Sequence, residues 1–250
     1  MASPPVVLKL LKYMTLGDRE LALLEGLGQG QRSVGAGSQL LDPREMYSTA
    51  FLINDGWALR YRAFPDGRRQ IINFLLPGDA FGLGAIVLSR PDHNISAITP
   101  VSVSPIAPEA LLGMMREHPR LGAAFLWSAA QEEAVLREHI ASIGRRTAYE
   151  RVAHLLLELM ARLELVDQVE NHQYHMPLSQ PLLADALGLS VVHVNRTLRK
   201  LQNDGLVSIS ARRMTILDYD ALKRVADFHR GFLHLPATAH AVPPPPLTLV

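Results

Sequence analysis

Between residues 178 and 206, apolar positions fall at helical spacing twice, with a glycine between the two runs. Leu182, Leu183, Ala186 and Leu187 form the first stripe; Val191, Val194, Leu198 and Leu201 form the second. Ser179 and Ser190 stand where side-chain oxygens cap helix N-termini, and Pro181 is tolerated in a first turn. Gly188 suits the left-handed residue that ends a helix, and Ala184 is small where the second helix crosses. Leu206 to Leu217 then alternates apolar and polar (Val207, Ile209, Met214, Ile216) around Arg212 and Arg213, which predicts a small hairpin. Helix, glycine turn, helix and hairpin together predict a winged helix-turn-helix.

Upstream the periods change. Residues 8–28 predict short helices, with Asp18 as a cap. From 31 to 108, β-rich pieces (Tyr47 to Ile53, Trp57 to Phe64, Gln70 to Leu76, Ile95 to Ile98, Val101 to Ile106) alternate with turns such as Asn54-Asp55-Gly56 and Pro65-Asp66-Gly67. Many short strands with frequent turns predict a β-sandwich or jelly roll. A short helix is predicted over 109–117. Pro119 then opens a helix of about 25 residues, roughly 37 Å long, reaching Ile143. Leu121, Phe125, Leu136, Ile140 and Ile143 lie along one side with Ser128 beside them, and a twofold partner is the expected cover, although Glu132 interrupts the stripe. Packing against the chain's own β-domain is the other reading. Another helix is predicted from Thr147, with Val152, Leu155, Leu156, Leu159, Met160 and Leu163 at helical spacing. Asp167 to Tyr174 is polar and reads as a loop.

The expected class is α+β, in five parts. They are an N-terminal arm (1–30), a β-roll or jelly roll (31–117), a dimerisation helix (118–144), a winged helix-turn-helix (145–229) and a disordered proline-rich tail (230–250).

Composition narrows the chemistry. The chain has 250 residues, 48% of them hydrophobic, enough for a sizeable core. It has no cysteine, which excludes disulfides, cysteine-ligated iron–sulfur clusters and cysteine-based zinc sites. No uncharged apolar run approaches the ~20 residues of a membrane span and no secretory signal is evident, so a soluble cytoplasmic protein is expected. The Gly-x-Gly pieces at 26–28 and 35–37 are too short to signal a dinucleotide site.

The net charge is +1, so partners are not read from the whole chain. Locally, Arg196, Arg199, Lys200, Arg212 and Arg213 face only Asp204, a concentrated patch suited to phosphate. Double-stranded DNA is the expected partner. Arg196 offers a bidentate pair to guanine, and Asn195 suits adenine or a phosphate, with His193 beside them. Arg199 and Lys200 fit phosphate contacts that fix register, as do Ser179, Gln180 and Ser190 at helix N-termini. An enzyme on the β-roll, such as a cupin-like metal oxygenase, needs several converging His and carboxylate ligands. Between residues 31 and 108 the only histidine is His93, and no catalytic or metal-binding set is expected. A docking protein whose helix-turn-helix contacts another protein fits the cationic face poorly.

Three segments carry a family resemblance. Leu76-Pro77-Gly78-Asp79-Ala80-Phe81-Gly82, the preceding Pro65 to Ile71 hairpin, and Leu183-Ala184-Asp185 through Val194-x-Arg196 together resemble the Crp/Fnr superfamily of bacterial transcription regulators, over about residues 20 to 225. The resemblance implies a homodimer that binds palindromic DNA, activates or represses transcription, and works with RNA polymerase. It also places an effector pocket near Gly82, Leu83, Arg90 and Asn94. The departures are informative. Cyclic-nucleotide binders of the family carry Glu after Phe-Gly for the ribose hydroxyl; here Leu83 stands there. Their Arg-Ser or Arg-Thr for the cyclic phosphate is replaced by Arg90-Pro91-Asp92, so cyclic AMP is not expected. The oxygen-sensing branch needs cysteines, and the carbon-monoxide branch holds haem through a β-roll histidine, for which His93 alone is available; no cofactor is expected. Many members place Glu ahead of the reading Arg to accept from cytosine, and Val192 occupies that position here.

Overall fold

Turn signals and alternating strands fold as their chemistry demands, and the helices follow in sequence order. The computed structural model describes residues 3–27 and 30–234. Helices α1 (Pro5–Leu11) and α2 (Asp18–Leu27) come first. Eight strands follow: β1 (Arg32–Val34), β2 (Gln39–Leu41), β3 (Ala50–Asp55), β4 (Ala58–Ala63), β5 (Arg69–Leu75), β6 (Ala80–Phe81), β7 (Asn94–Ala97) and β8 (Val101–Ile106). Helices α3 (Pro108–Glu117), α4 (Pro119–Arg145) and α5 (Ala148–Glu164) lead to β9 (Gln173–His175). The chain closes with α6 (Gln180–Leu187), α7 (Val191–Asn203), β10 (Val207–Ser210), β11 (Arg213–Ile216) and α8 (Tyr219–Ala226).

The β-rich region forms two four-stranded antiparallel sheets, ordered β1-β8-β3-β6 and β2-β7-β4-β5. Phe51, Ile53, Leu75, Phe81, Ile95 and Val103 fill the space between them. Phe51 stacks on Phe81 with ring centroids 4.9 Å apart. The Pro65-Asp66-Gly67 turn joins the paired strands β4 and β5, whereas Asn54-Asp55-Gly56 carries the chain from β3 in one sheet to β4 in the other. The sequence did not announce β1, β2 or β6, which are two or three residues long and, for β1 and β2, largely exposed, so no alternation marks them.

Helix α4 is 27 residues long, about 40 Å, but its outward face is rotated from the expected one. Leu121 (0% exposed) and Phe125 (3%) pack inside the chain with Leu111, Leu24 and Ala124, so they do not face a partner. Ser128 and Leu136 are half-buried. The open side carries Leu126 (70% exposed), Ile140 (72%) and Ile143. Glu132 proves to be the residue that fastens α4 to the β-roll: it pairs with the buried Arg60 of β4 and accepts from Asn73 Nδ2 at 3.0 Å.

Helix α5 begins in a capping box, Thr147 with Glu150. Every residue from Val152 to Leu163 is buried, including Glu158 and Arg162. Charges so placed must be paired, and they are, in a chain across four elements. Lys9 Nζ of α1 lies 2.7 Å from Asp79 Oδ1, and Arg162 Nη2 lies 2.7 Å from Asp79 Oδ2. Arg162 Nη1 donates to Glu158 Oε1 at 3.1 Å, and Glu158 Oε2 meets His139 Nε2 of α4 at 2.7 Å. Asp79 reads as a turn former in the sequence, and it does accept from Leu76 N at 2.8 Å; its larger role is as this buried node. Gly78 has φ +87°, and a Cβ there would sit 2.9 Å from the Pro5 carbonyl oxygen, so only glycine lets α1 close over the turn.

This arrangement fixes a pH dependence. Burial pushes the Glu158 carboxyl up, but His139 and Arg162 outweigh it and hold it at about 2. Burial pushes Asp79 up likewise, and Lys9 and Arg162 bring it to about 2. His154, beside Phe228 and Phe232, is driven down by burial to about 4, whereas Glu158 overcomes burial at His139 and raises it. A raised histidine contributes stability below its unfolded value near 6.5 that is lost as pH rises through the folded value; a depressed one loses stability as pH falls from about 6.5 toward 4. The acids add a further loss below about 4.5. Urea midpoints are expected to peak near pH 6.5 and fall on both sides. In His139→Gln the alkaline fall disappears; if it persists, His139 is not its source.

Two further expectations change. Gln173–His175 is not loop but a strand that pairs with β11, giving a three-stranded sheet ordered β10-β11-β9. The tail does not begin at 230: Arg230–Leu233 forms a 3-10 turn whose Leu233 is fully buried and accepts from Gln131 Nε2 of α4 at 2.7 Å. The rest of the predicted tail, 235–250, lies outside the described residues. Helix α8, capped by Asp218, carries too short an apolar pattern (Leu222, Ala226) to be announced.

Candidate nucleic-acid interface

The two helices of the candidate unit stop and start where their caps predict. Ser179 accepts from Leu182 N and Ser190 accepts from His193 N, at 3.2 Å for the second. Gly188 ends α6 with φ 64°, ψ 39°. Val194, Thr197, Leu198 and Leu201 bury one side of α7 against α5 and α6. That packing fixes which side chains face outward: Val191, Val192, Arg196, Arg199 and Lys200 are exposed.

The expected contacts are not equivalent. Arg196 and Arg199 lie one helical step apart on the open face. Lys200 is 3.3 Å from Asp204 and lies over the Tyr149 ring, 4.5 Å from its centroid, so part of its charge is already answered. Tyr149 also donates to Asp204. Asn195 is half-buried, and its Nδ2 donates to Gln180 Oε1 at 3.1 Å, tying the start of α6 to α7. His193 is half-buried as well. At the hairpin, Ala211 and Arg212 both have positive φ (48° and 60°), the sign a type I′ turn requires, and Arg212 stands exposed at its tip. Arg213 reaches back to Gln173 Oε1 at 3.2 Å. Ser179, Ser190, Arg196, Arg199 and Arg212 thus lie on exposed parts of one unit, while Asn195, Lys200 and Arg213 are held by neighbours.

The unit is also fastened to the β-roll. Arg69 Nε of the β4–β5 hairpin lies 2.6 Å from Asp185 Oδ2, and Gln70 Nε2 donates to the carbonyl oxygens of Asp185 (2.8 Å) and Ala186 (3.3 Å) near the end of α6. Arg151 Nη1 donates to Leu187 O at 2.9 Å. These contacts carry no sequence signature, because the partners are more than thirty residues apart and individually unremarkable.

Among the described residues, no side-chain hydrogen bond links the four residues expected at an effector pocket. Leu83 lines a small, partly open cavity with Lys9, Asn73, Asp79, Ser128 and Glu132. Gly82 approaches the Thr49 carbonyl. Arg90 reaches only Arg44 O at 3.4 Å on the surface, and Asn94 accepts from Gln39 Nε2 at 2.9 Å. Among the described residues, no group of three or more His, Cys, Asp or Glu is placed to hold a metal ion, and no helix is long and apolar enough to cross a membrane.

Comparison with known proteins places both halves. Residues 31–118 match the cyclic nucleotide-binding domain family, and residues 150–225 match the Crp-like helix-turn-helix domain. The nitrogen fixation regulation protein FixK of Bradyrhizobium diazoefficiens is 31% identical over 204 residues, covering 82% of this chain and 84% of the relative. The transcriptional activatory protein AadR of Rhodopseudomonas palustris is 30% identical over 213 residues, covering 83% and 86%. The solved structure of FixK2 from Bradyrhizobium japonicum superposes with a TM-score of 0.71 at 26% identity, covering 78% of this chain and 96% of that one. With a β-roll, a long helix and a capped, cation-bearing helix-turn-helix in that order, the chain belongs to the Crp/Fnr family of transcription regulators.

Proposed function

We propose that the chain binds operator DNA as a homodimer, each protomer laying α7 in the major groove of one half of a palindromic site. The observation that carries this is the outward face of α7, where Arg196 and Arg199 stand exposed on a helix capped at Ser190 and locked by Val194, Leu198 and Leu201. A rigid helix with guanidinium groups on its open side offers bidentate hydrogen bonds to guanine and charge to phosphate. Symmetry follows from α4. Leu126 and Ile140 are fourteen positions apart and Ala129, Leu136 and Ile143 follow at sevens, a repeat interrupted at Glu133 that suits pairing with a copy of itself. Two reading helices must then sit about 34 Å apart, one turn of DNA.

The same proposal includes a β-roll that does not take cyclic AMP. Leu83 lacks an acceptor for a ribose hydroxyl, and Arg60 and Asn73 each already donate to Glu132 where β-roll meets α4. The proposal includes RNA polymerase as a partner; a relative named as a transcriptional activator, FnrL of Cereibacter sphaeroides, supports activation as the mode of regulation.

The test is Arg196→Ala. Fluorescence anisotropy on a duplex selected from a random pool is expected to show a loss of about 1–3 kcal/mol and relaxed preference at one base pair. Unchanged affinity and preference would show that Arg196 does not read the site.

A further inference from the structure

We propose that Val192 reads the C5 methyl group of a thymine lying within two base pairs of the guanine contacted by Arg196. The inference rests on the DNA-reading function proposed above and names part of the sequence that function recognises. Val192 is 79% exposed, although valine is β-branched, apolar and a mediocre helix former. Among the described residues nothing accounts for it: the core side of α7 is made by Val194, Thr197, Leu198 and Leu201. Val191, 43% exposed, flanks it.

The neighbourhood restricts what such a side chain recognises. The first turn of α7 carries no acidic residue, so it offers no carboxylate to accept from the amino group of cytosine. His193 is half-buried, and Asn195 is held by Gln180 Oε1 at 3.1 Å. The exposed side chains of the first two turns are therefore Val191, Val192 and Arg196. In the major groove the one apolar feature of any base edge is the thymine methyl, and the commonest partner of arginine is guanine. Val192 and Arg196 are four residues apart on one face, about 6 Å along the helix axis. Stacked base pairs are about 3.4 Å apart, so the two side chains address neighbouring or next-neighbouring pairs. An apolar knob followed by a guanidinium selects thymine beside guanine and disfavours cytosine at the thymine position.

The experiment uses the full chain and a duplex selected from a random pool. Each thymine near the guanine sensed by Arg196 is replaced singly by uracil, which removes the methyl and leaves every hydrogen-bonding group in place. The expected result is a loss of about threefold to tenfold at one thymine per half-site, the size of one buried methyl. Val192→Ala, at an exposed position, keeps the fold and is expected to discriminate less between thymine and uracil duplexes, because its single methyl reaches less far. Equal binding of thymine and uracil duplexes by the unmodified chain, undiminished discrimination by Val192→Ala, or bound sites with no thymine in that window would each overturn the proposal. In all three the Arg196→Ala effect and the salt dependence remain, and DNA reading by α7 stands. A chain that binds no duplex overturns both.

Discussion

Arg162→Ala is expected to destabilise the fold by about 3–5 kcal/mol, because it removes the one cation shared by two buried acids. Arg162 donates to Glu158 Oε1, Asp79 Oδ2 and the Phe74 carbonyl, at 3.1, 2.7 and 2.8 Å. Without it, Asp79 keeps Lys9 and Glu158 keeps His139, but each buried carboxylate loses a charge-assisted bond. For a chain of this size the melting temperature should fall by roughly 6–20 °C. Glu158→Gln in the same background should add less than its effect alone, since the two side chains touch. A fall of under about 2 °C in calorimetry would show that the ionic chain does not hold α1, the Asp79 turn, α4 and α5 together.

Replacing Leu126 and Ile140 of α4 with glutamate is expected to leave the protomer folded and to weaken DNA binding by about 10²–10⁴-fold, the advantage of two linked half-sites over one. Both side chains are mostly exposed in the single chain, so their loss costs the protomer little. In a symmetric pair each would be buried, at about 1.5–3 kcal/mol per side chain, and a carboxylate there would face its own copy across the twofold axis. Light scattering should report a dimer for the unmodified chain and a monomer for the double variant. A double variant that still sedimented as a dimer would move the interface off this face of α4.

The regular elements were legible because each repeats its signal. Helices α4, α5 and α7 carry many turns of apolar spacing, and Ser179 and Gly188 bound α6 and Ser190 starts α7 through chemistry that is local. The strands of β1, β2, β6 and β9 were hidden because two or three residues cannot show an alternation. The rotation of α4 was hidden for another reason. Leu121, Phe125, Leu126 and Ile140 are equally apolar, and only the position of α3 and the N-terminal helices decides which of them the chain covers itself. Glu132, an interruption on a helical wheel, becomes intelligible once Arg60 is found opposite it. In the candidate site the exposed cations were legible from composition and spacing. The ties that hold Asn195 and Arg213 were not, because Gln180 and Gln173 become neighbours only when the helices cross or the strands pair, whereas Lys200 and Asp204 are four positions apart at the end of one helix.

The central claim, that α7 enters the major groove twice by symmetry, is tested most directly by a hydroxyl-radical footprint of the full chain on its selected duplex, read as salt is raised. The account predicts two protected stretches about one helical turn apart, lost together, with affinity falling about 10³–10⁵-fold between roughly 50 and 200 mM salt. A single protected stretch, or protection indifferent to salt, would contradict it.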